Sequence, residues 1–171
     1  TVEFIRDSVD RLHDELDLVL RDLTVEQLHY QPAGKVNHIA FNIWHLARTE
    51  DNVIQRTLQR KPTIWMSDGL DKKFGIDPIA QGTGMSAEDA GNISLPSAVA
   101  FLEYMRQVWL AADSYLTSIN DSNLAEVKSL GRMGEMTVQR LLGQVIITHG
   151  FEHLGEIRYI RGLQGLTGAA I

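Results

Sequence analysis

The sequence predicts an all-α protein, a four-helix bundle with a long insert between its second and third helices. Three observations carry this. Apolar residues recur at alternating steps of three and four along four segments, the mark of a helix with one buried stripe. No long segment alternates as a half-buried strand does. The stretch from about Arg60 to Ile93, between the middle two segments, is rich in Gly, Asp and Pro and far too long for a tight turn.

The first helix is expected over about Val2 to Asp22, with Ile5, Val9, Leu12, Leu16, Val19 and Leu23 on one stripe. Thr24 and Gln27 have the spacing of a capping box opening a short turn, after which Pro32 and Gly34 break the chain. The second long helix starts near Asn37, a good N-cap, and runs to about Gln59. Ser94 with Pro96 opens the third, whose stripe is Leu102, Met105, Trp109, Ala112, Leu116 and Ile119. Residues 124–136 (LAEVKSLGRMGEM) can hold a short hairpin. Thr137 caps the fourth helix, which carries Leu141, Leu142, Val145, Ile146, His149, His153, Ile157 and Ile160, and Gly165 ends it. Four such helices make a bundle the economical fold. The insert reads as an Ω-like lid over one end of it, anchored by Trp65 and Phe74, and these two are the expected pocket walls.

Composition narrows the function. The 171 residues are most simply one domain, 1–171, large enough to bury a core. With 44% hydrophobic and 22% charged residues it reads as an ordinary globular protein. No apolar run approaches the ~20 residues of a membrane span, and TVEFIRDSVD is not an apolar signal peptide. The absence of cysteine removes disulfides, thiolate ligands and cysteine nucleophiles and agrees with a cytoplasmic location. A formal charge of −6 without a basic cluster argues against a nucleic-acid partner.

Two histidines in THGFEHLGEI, His149 and His153, stand four apart on the stripe shared with Leu142, Val145 and Ile160. That spacing puts both imidazoles on one helix face, as in helical zinc sites. Burying two neutral imidazoles is costly unless something collects their lone pairs. A metal ion does so; core histidines bonded to backbone and carboxylates are the other reading, and spacing alone leaves both open. His45, in the middle of the second helix, is the best third ligand. His38 is two turns earlier, ~10 Å away along the axis, and reads as a surface or edge residue. His13 and His29 read as structural. Glu50 and Glu156 are candidates for orienting imidazoles from behind, whereas Glu152 points elsewhere.

QPAGKVNHIAFNIWHLARTE together with THGFEHLGEIRYIRGLQGL resembles the DinB/YfiT-like superfamily of metal-dependent enzymes. The matching elements are Pro32, His45-Leu46, His149, His153, Gly155 and Arg161-Gly162, and the insert SDGLDKKFGIDPIAQGTGMSAEDA is similar to inserts of some members. The resemblance implies an up-down-down-up bundle, often a homodimer, with His45, His149 and His153 holding zinc or nickel. Glu156 departs from it, since many members have Gln there. A three-histidine site leaves positions open on the ion, which is a catalytic arrangement. The resemblance implies transfer of a low-molecular-weight thiol, such as bacillithiol or mycothiol, to an electrophilic small molecule. Two other functions are compatible with the sequence: a metal-dependent hydrolase with Glu50 as general base, and a non-catalytic stress-related metal-binding protein. Apolar Ile43 and Trp44 beside His45, and Val108, Trp109 and Tyr115 on the third helix, widen two apolar faces and point to a dimer.

Overall fold

A computed structural model describes residues 1–32, 36–131 and 134–167, and it is mostly helical. Gly34, expected to break the chain, and residues 132–133 of the expected hairpin lie outside the described residues. Helix α1 (Val2–Leu20) is capped by the Thr1 hydroxyl and buries Ile5, Val9, Leu12, Leu16 and Val19, the stripe its spacing dictates. The one-turn α2 (Val25–Leu28) opens on the expected capping box. Gln27 N–H donates to the Thr24 hydroxyl at 3.2 Å and Thr24 N–H to the Gln27 side chain at 2.9 Å.

Helix α3 (Ile39–Asp51) starts at His38, one residue after the Asn37 cap expected from sequence. The His38 ring does the capping, with its Nδ1 accepting from Phe41 N–H at 2.9 Å. It is 2% exposed, so its reading as a surface residue is corrected. The helix continues as a π-helical segment, Asn52–Leu58, and closes at Arg60, whose φ of 58° is left-handed. The insert then forms three short helices, α4 (Ile64–Ser67), α5 (Leu70–Phe74) and α6 (Ala87–Gly91).

Helix α7 (Ala98–Ser118) is capped by Ser97, whose hydroxyl accepts from Ala100 N–H at 3.0 Å. The expected start at Ser94 is three residues early because the chain must first bury Ile93 and Leu95. Leu95 N–H donates to His29 Nε2 at 3.0 Å, while His29 Nδ1–H donates to the Val25 carbonyl at 2.7 Å. His29 is thus a structural bracket. Strands β1 (Val127–Ser129) and β2 (Glu135–Thr137) pair antiparallel, with Lys128 opposite Met136, where the hairpin was expected. Thr137 also caps α8 (Val138–Arg140), which continues through a π-helical segment, Leu141–Thr148, into α9 (His149–Leu163). Gly165, at φ 72°, follows its end.

Helices α1 and α3 each pack against both α7 and α9. Side chains of all four meet in one cluster that includes Leu12, Leu16, Ile43, Trp44, Leu102, Met105, Leu154 and Ile157. A second cluster gathers Val9, Val53, Leu116, Leu141, Leu142 and Ile146. Every residue of α3 is buried, because the insert lies along it. Asp51 receives the Ile64 and Trp65 N–H groups at 3.0 and 2.9 Å and the Tyr104 hydroxyl at 2.9 Å. Trp65, wholly buried, stacks on Phe74 and packs against Tyr104. Of the apolar residues that pointed to a dimer, Ile43 and Trp44 are fully buried within the chain and Val108 is 1% exposed, whereas Trp109 and Tyr115 are half-buried. Among the described residues no helix is long and apolar enough to cross a membrane.

Candidate metal centre

The site is built where α3 faces the start of α9. His45 lies mid-way along α3, and His149 and His153 occupy the first two turns of α9. The π-helical turn before His149 is locally wide, and Thr148 bridges it by donating its hydroxyl to the Gly143 carbonyl at 2.9 Å. Wide turns of this kind re-aim the residues that follow them and are frequent at functional sites.

The three rings meet edge to face. Interplanar angles are 82–87° and ring centroids 4.6–5.3 Å apart. His149 Nε2 lies 3.1 Å from both His45 Nε2 and His153 Nε2. Three imidazole nitrogens ~2.0–2.1 Å from a shared zinc at tetrahedral angles stand roughly 3.3 Å apart, so this spacing fits one ion. The far side of two rings agrees. His45 Nδ1–H donates to the Gln81 carbonyl, and His153 Nδ1–H donates to Glu156 Oε2 at 2.7 Å. With their protons held at Nδ1, both Nε2 atoms present lone pairs to the same point. His149 Nδ1 is buried without a well-aligned partner, although the Val145 carbonyl lies near enough to favour the charged ring.

Burial favours the neutral form of two of the rings. Burial, reinforced by His153 and His45, lowers the His149 pKa to about 4. Burial also lowers His45, against the opposing pull of the Gln81 carbonyl. Neutral imidazole is the form that ligates. His45, His149 and His153 form a group able to hold a metal ion, the reading that the i, i+4 pair suggested.

The other expected residues divide. Glu156 orients His153. Glu50 instead bonds His13, 2.9 Å from its Nε2, and His13 stacks on Trp109. Glu50 and His149 nonetheless line one narrow cavity with room for about one water. Trp65 and Phe74, expected as pocket walls, are placed in the aromatic core with Phe101 and Tyr104, because a stack of large rings is buried most fully there. Sequence reasoning missed the wall that is present. Phe41 stacks on His45 at 8° between planes, and Gly82 backs the ring so closely that a Cβ there would lie 2.8 Å from His45 Nδ1. Phe41 was legible as one turn before His45; Gly82 was not, since nothing local says where a long insert returns.

A mostly helical protein in which three inward-facing histidines converge, with no protein anion among them, carries a group able to hold a metal ion. A family model described as the DinB superfamily matches residues 8–157. The chain belongs to the DinB superfamily. A solved structure, "Crystal structure of the conserved protein of locus from Enterococcus faecalis", shares the fold with a TM-score of 0.82 at 23% identity, covering 95% of this chain and 96% of that one. No match is found among curated proteins.

Proposed function

We propose that this chain is a metal-dependent enzyme that transfers a low-molecular-weight thiol to an electrophilic small molecule. The observation that carries it is the convergence of three Nε2 donors without a carboxylate ligand. Zinc or nickel held there supplies Lewis acidity, lowering the pKa of a thiol or water at an open position. The chain's own residues do the rest. Gln81 and Glu156 fix two rings, Phe41 and Gly82 confine His45, and burial keeps His45 and His149 unprotonated. The thiol itself rests on the family resemblance.

A metal-dependent hydrolase is the second reading, favoured by the cavity that Glu50 shares with His149. The wider reading is a single DinB-like domain whose long helices run up-down-down-up, assembled as a two-fold homodimer.

Protein purified without an affinity tag and analysed for metals should contain one zinc or nickel per chain. Replacement of His45, His149 or His153 by Ala should remove it. Incubation with a small thiol and a panel of electrophiles should then consume thiol only with the metal-loaded protein. Ester or amide cleavage without thiol consumption would favour the hydrolase, and light scattering at micromolar concentration reads the dimer. Full metal content in all three alanine variants rules out this centre.

A further inference from the structure

Phe41, His45 and Arg48 of α3, with Asn52 at the start of the π-helical segment that continues it, follow one another at successive helical steps and share one face, and the segment Pro78–Gly82 lies across it. Arg48 is 2% exposed yet carries a full charge. Burying a guanidinium costs several kcal/mol unless its donors are used. Here Nε donates to the Ala80 carbonyl at 3.2 Å and one terminal nitrogen to the Pro78 carbonyl at 2.9 Å. The ring of Trp65 lies 5.0 Å beneath the guanidinium, and Asp51 stands 3.8 Å from its other terminal nitrogen. Asn52 adds a third tie, donating to the Gln81 side chain at 2.8 Å. The Gln81 carbonyl, between these ties and Gly82, is the group that receives His45 Nδ1–H.

An apolar anchor would hold this strap by area alone and leave it free to slide. A guanidinium fork fixes two carbonyls two residues apart and so fixes the register of the next one. We infer that Arg48 and Asn52 are positioning residues of the metal centre, holding the Pro78–Gly82 strap so that the Gln81 carbonyl sets the tautomer and aim of His45. Neither touches the ion. Partners behind metal-bound imidazoles matter in this way because they fix the ring and strengthen its lone pair, and losing one costs 10–100-fold in affinity.

This inference rests on the metal reading above, so the test separates the two. Zinc affinity is measured by chelator competition for the unmodified chain, for Arg48→Lys, whose single ammonium cannot hold both carbonyls, and for Asn52→Ala, a half-buried change that leaves the Arg48–Asp51 contact intact. Nitrogen-15 NMR of the metal-free forms reads the His45 tautomer. Leu116→Ala, in the second core cluster, serves as a variant destabilised away from the site. The unmodified chain should show His45 as one Nδ1–H tautomer. Arg48→Lys should lose that single form and bind zinc 10–100-fold more weakly, with Asn52→Ala at the lower end of that range, about tenfold. Leu116→Ala should lose stability while keeping affinity and tautomer. Should Arg48→Lys fail to fold, Asn52→Ala decides. Unchanged affinity and tautomer in the folded variants overturn the inference alone, whereas no zinc binding by the unmodified chain overturns the metal reading and this inference with it.

Discussion

The two glycines that interrupt THGFEHLGEI sit one turn and a half apart on α9 and have opposite environments. A Cβ on Gly150 would lie 2.3 Å from Leu12 Cδ2, inside the contact between α9 and α1. Leu12 is 2% exposed, and the cavity beside it has room for about one water, so it has little space to yield. Gly150→Ala should therefore destabilise the fold by roughly 1–3 kcal/mol through overpacking. Gly155 has nothing within 4 Å of its Cβ position and is exposed. Gly155→Ala should stabilise by about 0.5–1 kcal/mol, since glycine in a helix interior costs backbone entropy. Chemical denaturation of both variants checks the pair, and a stabilising Gly150→Ala would refute the close-approach account. In sequence a glycine needed for close approach and one merely tolerated look alike until the partner helix is known. The histidines were more legible. An i, i+4 pair is local geometry, and His45 followed from the resemblance and its mid-helix place. Arg48 was not legible, since a buried guanidinium reads as an exposed one until the carbonyls it serves are found 30 and 32 residues away.

At the scale of elements, stripes and caps were read well where the controlling residues are neighbours in sequence. The Thr24–Gln27 box, the Thr137 cap and the stripe of α1 are of this kind. Starts were displaced where a distant contact decides: His38 caps α3 from a buried position, and Ser97 replaces Ser94 because Leu95 is held in the core by His29. The two π-helical segments were invisible, since apolar spacings of three and four cannot distinguish a π turn from an α turn over seven or eight residues. The insert was expected to wall a pocket with Trp65 and Phe74. Instead those rings key it to α3 and α7, beneath Arg48. Trp65→Ala should thus behave as a core truncation and cost roughly 3–5 kcal/mol. Zinc affinity should fall with it, because the strap loses the ring on which Arg48 rests. A thermal melt with zinc titration would test this, and a small loss of stability would return Trp65 to the role of a surface wall.

For the molecule as a whole, the buried imidazoles make folding depend on pH with a definite sign. Burial lowers the pKa of His38, His45 and His149, the last from 6.5 to about 4. In the unfolded chain these rings regain their ordinary values, so between about pH 6.5 and 4 the unfolded state binds more protons than the folded one. Stability of the metal-free protein should then rise with pH across that window and be lost as pH falls through it, with little contribution from these groups above pH ~7. Asp51 acts in the opposite sense. Burial raises its carboxyl above 3.8, so the folded state holds that proton longer and its contribution falls as pH rises from 3.8. Glu15 and Asp22, lowered chiefly by Arg11 and Arg161 respectively, lose their stabilisation only on further acidification, below the ordinary carboxylate range. The difference between the unmodified chain and His149→Ala cancels the carboxylates and isolates one imidazole. In chelator-treated protein, the denaturation free energy of the unmodified chain should climb more steeply from pH 4 to 6.5 than that of His149→Ala, by up to about 1.4 kcal/mol per pH unit for one proton. Above pH 7 the two curves should run parallel. Parallel curves across the acid window as well would mean that His149 keeps its ordinary pKa and is not held neutral by burial.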